Sequence, residues 1–127
     1  MSAILDSCQG NATKTIEPGT VIFAEGTKDG TLCVLVQGEV EILKGDFQVN
    51  TVSESGAVFG EMSILLSSPH MATVRARTSC QVHIIQDGSA FLRSNSAVTY
   101  DLLQTMAARL QGVTNYLTNL NQYVHSM

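Results

Sequence analysis

Residues 59–78 read Phe-Gly-Glu-Met-Ser-Ile-Leu-Leu-Ser-Ser-Pro-His-Met-Ala-Thr-Val-Arg-Ala-Arg-Thr, and the chemistry available to this chain is concentrated there. Gly60–Leu66 do not alternate between apolar and polar, and Ser67-Ser68-Pro69 closes the run, so a single helical turn is predicted between two strands. The first N–H groups of such a turn have no intrahelical partner and can face an anion. Glu61 stands where a carboxylate favours a helix start, which is a sufficient structural reason for it. His70 follows Pro69; it offers one hydrogen-bond donor, is partly charged near neutral pH, and reads as a solvated loop histidine. Arg75 and Arg77 alternate with Val74 and Ala76 on a strand, which turns both arginines away from the apolar side. His83, inside Val82-His83-Ile84, reads as a strand residue without chemistry. No Ser-His-Asp, Cys-His or paired-carboxylate arrangement is legible, so no catalytic residue is assigned and the chain is not read as an enzyme.

The elements that must position this segment fall into two halves. From Thr13 to about Gln86, turn signals such as Pro18-Gly19, Glu25-Gly26, Asp29-Gly30, Gln37-Gly38 and Ser55-Gly56 separate runs rich in β-branched residues. Strands are predicted over 20–24, 32–36, 39–43, 47–52, 72–76 and 81–85. In Glu39-Val40-Glu41-Ile42 the carboxylates and apolar groups point opposite ways, as in a half-buried antiparallel strand. Six or more such strands imply a mainly β fold, an antiparallel jelly-roll β-sandwich carrying a short helix at 60–66 and a long C-terminal helix. The chain reads as one domain, 1–127, with a β-roll over 13–86 and a helical part over 87–127.

In that helical part, Asp87–Leu92 reads as a capped short helix, and Ser94 or Asn95 as the N-cap of the long one. Leu103, Leu110, Leu117 and Val124 recur every seven residues, and Met106, Val113, Leu120 and Met127 form a second series offset by three. This is the a/d register of a coiled coil, so residues 96–127 are expected to dimerise. The alternative is a stripe packed on the chain's own sheet. Charges flanking the seam are nearly absent, Arg109 being the exception, so the seam itself must set orientation.

Bulk properties narrow the classes of function. The 127 residues suit one core, and 44% hydrophobic residues argue against disorder. A net charge of −4 lacks the basic footprint of a nucleic-acid binder, so no direct nucleic-acid contact is expected. Cys8, Cys33 and Cys80 have no metal-type spacing and read as reduced thiols, with Cys33 and Cys80, inside apolar runs, as small buried hydrophobes, so no metal is assigned. The sequence has neither a signal peptide nor an apolar stretch approaching the roughly 18 residues of a membrane span, so a cytoplasmic location without a membrane partner is expected.

Phe59-Gly60-Glu61, the apolar run after it and Pro69-His70-Met71-Ala72-Thr73-Val74 resemble the phosphate-binding cassette of the cyclic-nucleotide-binding domain family, in particular its catabolite-activator-like sensor domains. That cassette reads Phe-Gly-Glu, a few apolar residues, then Pro-Arg-(Ala/Ser)-Ala-Thr-Val. Pro18-Gly19 and the Val34–Val40 run also resemble the family, and the likeness covers Thr13 to Met127. The resemblance implies a regulatory, dimeric ligand sensor for cAMP or cGMP. In it Gly60 lets the backbone approach the ligand, Glu61 accepts from the ribose 2′-hydroxyl, and Met62 and Ser63 offer backbone N–H groups. Met71 and Ala72 meet the cyclic phosphate, and Val113 and Thr114 fall near the base. The sequence departs from the pattern at His70, where the family places an arginine. Charge-assisted hydrogen bonds are worth about 1.5–3 kcal/mol, so this change is expected to weaken phosphate binding roughly ten- to a hundredfold. Met71 further narrows the space beside the phosphate. Two alternatives stay open: an interaction module that kept the fold and lost the ligand, and a sensor of another effector such as an organic anion or haem. The chain reads as either a stand-alone sensor or a piece cut before an output domain.

Overall fold

A computed structural model describes residues 3–8 and 10–125. Its elements are, in order, α1 (Ala3–Ser7), β1 (Lys14–Ile16), β2 (Val21–Phe23), β3 (Leu32–Gln37), β4 (Val40–Lys44), β5 (Phe47–Val52), β6 (Val58–Phe59), α2 (Glu61–Leu66), β7 (Thr73–Ala76), β8 (Cys80–Ile85), α3 (Gly88–Ser94) and α4 (Ser96–His125). The strands form two four-stranded antiparallel sheets, ordered β1-β8-β3-β6 and β2-β7-β4-β5. This is the expected jelly-roll sandwich.

The alternation along β3 explains the layering. Cys33 and Leu35 point into the sandwich, where they join Ile16, Phe23, Val40, Phe59, Val74, Ala76, Cys80 and Val82. Leu32 and Val34 point out of it, and are covered by Ile4 and Cys8 of the N-terminal segment, Leu92 of α3, and Val98 and Leu102 of α4. Both faces of β3 are therefore apolar, which is why its sequence reads as an unbroken run. All three cysteines are free and buried, and burial pushes the Cys33 thiol up to about 12, so it packs as a small hydrophobe. Among the described residues no helix is long and apolar enough to cross a membrane.

The long helix begins at Ser96, so Asn95 stands at its N-cap position as expected, its carbonyl accepting from the Thr99 N–H at 3.0 Å. The two side chains serve the preceding helix: Ser94 Oγ and Asn95 Nδ2 donate to the carbonyls of Ala90 and Phe91, satisfying the end of α3. Asp87 caps α3 as expected, accepting from the Ala90 N–H at 3.0 Å. Only the first turns of α4 are covered by the body: Val98 and Leu102 are buried, and every residue from Ala107 to His125 is exposed. The stripe of Leu103, Leu110, Val113, Leu117, Leu120 and Val124 therefore does not pack on the chain's own sheet; Met106 alone is partly covered by the outer core. Met127, the last member of the series, lies outside the described residues.

Candidate functional site

β6 delivers the chain to α2 through Gly60, whose φ of 93° is left-handed. A Cβ at Gly60 would stand 2.7 Å from the Thr31 carbonyl oxygen and 3.1 Å from the Phe23 ring, so the fold itself requires glycine here. Glu61 then opens α2 and is only 6% exposed. The turn is closed at Ser67, also left-handed with φ 50°, and by Ser63 Oγ donating to the Ser68 carbonyl. α3 seats against this turn: a Cβ on Gly88 would overlap the Ile64 side chain.

His70 is placed differently from the sequence expectation. It is 8% exposed, not solvated. Its N–H donates to the Thr27 carbonyl at 2.8 Å and its carbonyl accepts from the Gly26 N–H at 2.9 Å. This pairing ties the residue to the 25–27 loop and turns the ring inward. The imidazole stacks on Phe23, with centroids 4.5 Å apart and planes 22° apart, and Nε2 lies 3.3 Å from Asp29 Oδ1. Burial opposes ionisation of Asp29, but hydrogen bonds from the Thr31 N–H, His70 and the Thr31 hydroxyl outweigh it and hold the carboxyl below its ordinary value. Histidine after proline reads as a loop residue, and the partners that bury it come from the distant 23–29 segment.

Glu61 and His70 line one cavity of about 420 Å³, together with Gly60, Met62, Ser63, Met71, Ala72 and an apolar wall that includes Phe23, Val52 and Phe59. The volume lies in the range of small-molecule sites, roughly 300–1,000 Å³. Burial raises the Glu61 carboxyl above its ordinary value, partly offset by its own backbone N–H and by the charges of Arg109 and His70. Arg109 of α4 stands at the rim of the cavity, with Nη1 3.7 Å from Glu61 Oε1. In the sequence Arg109 shows only as the isolated charge beside the heptad seam, because its approach to Glu61 spans 48 residues of chain.

Seven of the nine expected ligand residues thus meet in this cavity: Gly60, Glu61, Met62, Ser63, His70, Met71 and Ala72. Val113 and Thr114 are not among its lining residues. They follow Arg109 by four and five positions on a helix rising about 1.5 Å per residue, which carries them roughly 6 Å or more along α4 beyond the rim. Arg75 and Arg77 do face away, held by Glu41 at 3.1 Å and Glu39 at 2.9 Å. His83 is a buried β8 residue, its Nδ1 3.3 Å from the Ala12 carbonyl oxygen. Among the described residues no three His, Cys, Asp or Glu side chains cluster as a metal site. A second cavity of about 380 Å³ lies between α4 and residues 52–58, and Arg109 lines it as well.

The profile of the cyclic nucleotide-binding domain family matches residues 13–93. A cAMP-dependent protein kinase regulatory subunit from Yarrowia lipolytica is 34% identical over 71 residues, 55% of this chain and 19% of that protein. The cAMP-bound structure of PfPKA-R superposes with a TM-score of 0.66 at 26% identity, covering 83% of this chain and 36% of that one. The Thermus thermophilus catabolite activator protein gives a TM-score of 0.72 over 91% of this chain and 62% of that one; at 21% identity it is a likeness of fold. The chain spans about a fifth of the length of the curated regulatory subunits it matches.

Proposed function

This chain belongs to the cyclic nucleotide-binding domain family, and on that premise we propose that it is a regulatory module that binds cAMP or cGMP in the cavity under Arg109 and transmits the event through α4. The observation that carries this reading is the meeting of Gly60, Glu61, His70 and Ala72 in one cavity of nucleotide-compatible size, which Arg109 of the helix that would carry the signal also lines. A buried carboxylate that only accepts hydrogen bonds suits a ribose hydroxyl. The apolar wall suits a base. His70 contributes less to phosphate binding than an arginine would, because one of its nitrogens is directed at Asp29. A ligand that touches Arg109 meets α4 directly, so two placements of that helix would bind it with different affinity, which is what coupling requires.

α4 in this reading pairs with a second copy of the same helix. The exposed apolar residues recur every seven positions, a period that complements itself in a parallel pair. No catalytic constellation is assigned, and the free, buried thiols suit a reducing cytoplasm.

Calorimetric titration with cAMP and with cGMP tests the ligand. Saturable heat with one of them, and a matching thermal shift, is the expected result; neither heat nor shift at millimolar nucleotide overturns it. A second reading, an interaction module without ligand, is favoured by one observation: the imidazole at the family's arginine position is already engaged by Asp29 and Phe23. Under that reading both titrations are flat while α4 still pairs.

A further inference from the structure

We propose that Arg109 is the phosphate-binding cation of this site, supplying from α4 the contact that position 70 has lost. The inference rests on the cyclic-nucleotide reading and adds to it a residue outside the cassette.

The argument begins with charge. A cyclic nucleotide carries one negative phosphate, and a buried carboxylate in the same cavity opposes it. Some cation must offset both. Of the seven lysines and arginines in the chain, Arg109 is the one that lines the cavity among the described residues. Arg75 and Arg77 are paired on the outer face of the sheet, and Arg93 Nε reaches Ser89 on α3. Lys44 is held by Glu25 at 2.9 Å and by the Met71 carbonyl, and Lys28 donates to the Ser67 carbonyl. His70, the remaining basic group on the wall, is directed at Asp29.

Geometry then fits the role. The Arg109 side chain is 64% exposed, and its 3.7 Å approach to Glu61 is too long for a good hydrogen bond, so the guanidinium is free to turn. Glu61 needs its oxygens free to accept from a ribose hydroxyl. Moving the guanidinium from Glu61 to the phosphate would satisfy both groups in one exchange, and its planar fork matches a phosphate edge. The site would then keep an arginine on the phosphate while drawing it from the signalling helix.

The test measures cAMP affinity of the full chain with Arg109→Gln, Arg109→Lys and the swap His70→Arg/Arg109→Gln, each first matched to the parent in thermal midpoint. Adenosine, which lacks the phosphate, is titrated in parallel by NMR. The expected result is a ten- to hundredfold loss of cAMP affinity in Arg109→Gln, a smaller loss in Arg109→Lys, unchanged adenosine shifts, and recovery of cAMP binding in the swap. Unchanged cAMP affinity in Arg109→Gln overturns the inference and leaves the nucleotide reading standing. Equal losses for cAMP and adenosine overturn it too, since the residue would then act through the shape of the cavity. A swap that stays as weak as Arg109→Gln also counts against it. A parent protein that binds no cAMP or cGMP removes the nucleotide reading itself, and this inference with it.

Discussion

The Arg109 guanidinium stands 3.7 Å from the buried carboxylate of Glu61, joining the long exposed helix to the one acid among the described residues that lines the cassette cavity. An acid so placed costs the folded state stability, because burial disfavours its charged form and the single arginine beside it is largely in solvent. The free protein tolerates that cost at the position where a ligand hydroxyl would be received.

The cost is measurable through pH. The folded-state value of Glu61 lies above the ordinary glutamate value of about 4.3. Its contribution to stability is therefore complete below that ordinary value and is lost as pH rises through the raised one. Glu61→Gln should melt higher than the parent at pH 7, with the difference shrinking to nothing on acidification below about pH 4. The same variant should bind cyclic nucleotide more weakly. Thermal melts across pH check the first part; a lower midpoint at pH 7 would contradict it.

Restoring the family's arginine tests what His70 does. His70→Arg should tighten cAMP binding about ten- to a hundredfold, the worth of charge-assisted hydrogen bonds to the phosphate. Asp29 faces position 70 and would compete for the new guanidinium. The gain should therefore be larger when Asp29→Ala is added. Titration of the single and double variants measures both effects, and no gain in either would mean that a guanidinium at position 70 does not reach the phosphate.

Gly60 is required by its conformation and by its neighbours. Gly60→Ala would combine a positive φ with a methyl group 2.7 Å from the Thr31 oxygen. Strained backbone of this kind costs about 1–3 kcal/mol, so urea unfolding should show at least that loss. An unchanged midpoint would mean that the α2 turn relaxes freely.

How much of this was legible in the sequence follows from the range of the interactions. The two-residue alternation of Val40–Ile42, the break at Gly60–Leu66 and the Asp87 cap are local patterns, and each appears where local chemistry predicts. The segments α1, β1 and β6 are three to five residues or shorter and had no pattern of their own to read. Ile4, Ile16 and Phe59 matter there because distant strands cover them. The burial of His70 is illegible locally for the same reason: the partner of its Nε2 lies 41 residues away. Val113 and Thr114 were placed near the cavity by resemblance, whereas the direction of α4 brings Arg109 to it instead. The heptad spacing was plain, and its exposure on α4 agrees with a partner outside the chain.

That partner is expected to be a second copy. Leu110→Asn and Leu117→Asn each place a polar amide on the seam, and each buried leucine there is worth about 1.5–3 kcal/mol of association before entropy costs. Analytical sedimentation should show a dimer for the parent and monomers for the variants, with an unchanged β-sheet signal in circular dichroism. A monomeric parent, or dimers that survive both substitutions, would contradict the pairing.

The central claim, that the cavity under Arg109 is a cyclic-nucleotide site, is tested most directly by a crystal structure grown with millimolar cAMP or cGMP. The account predicts nucleotide density in that cavity, with the ribose hydroxyl on Glu61 and the phosphate beside Ala72 and the Arg109 guanidinium. A cavity that stays empty, or a nucleotide bound elsewhere while Arg109 keeps its place against Glu61, would contradict it.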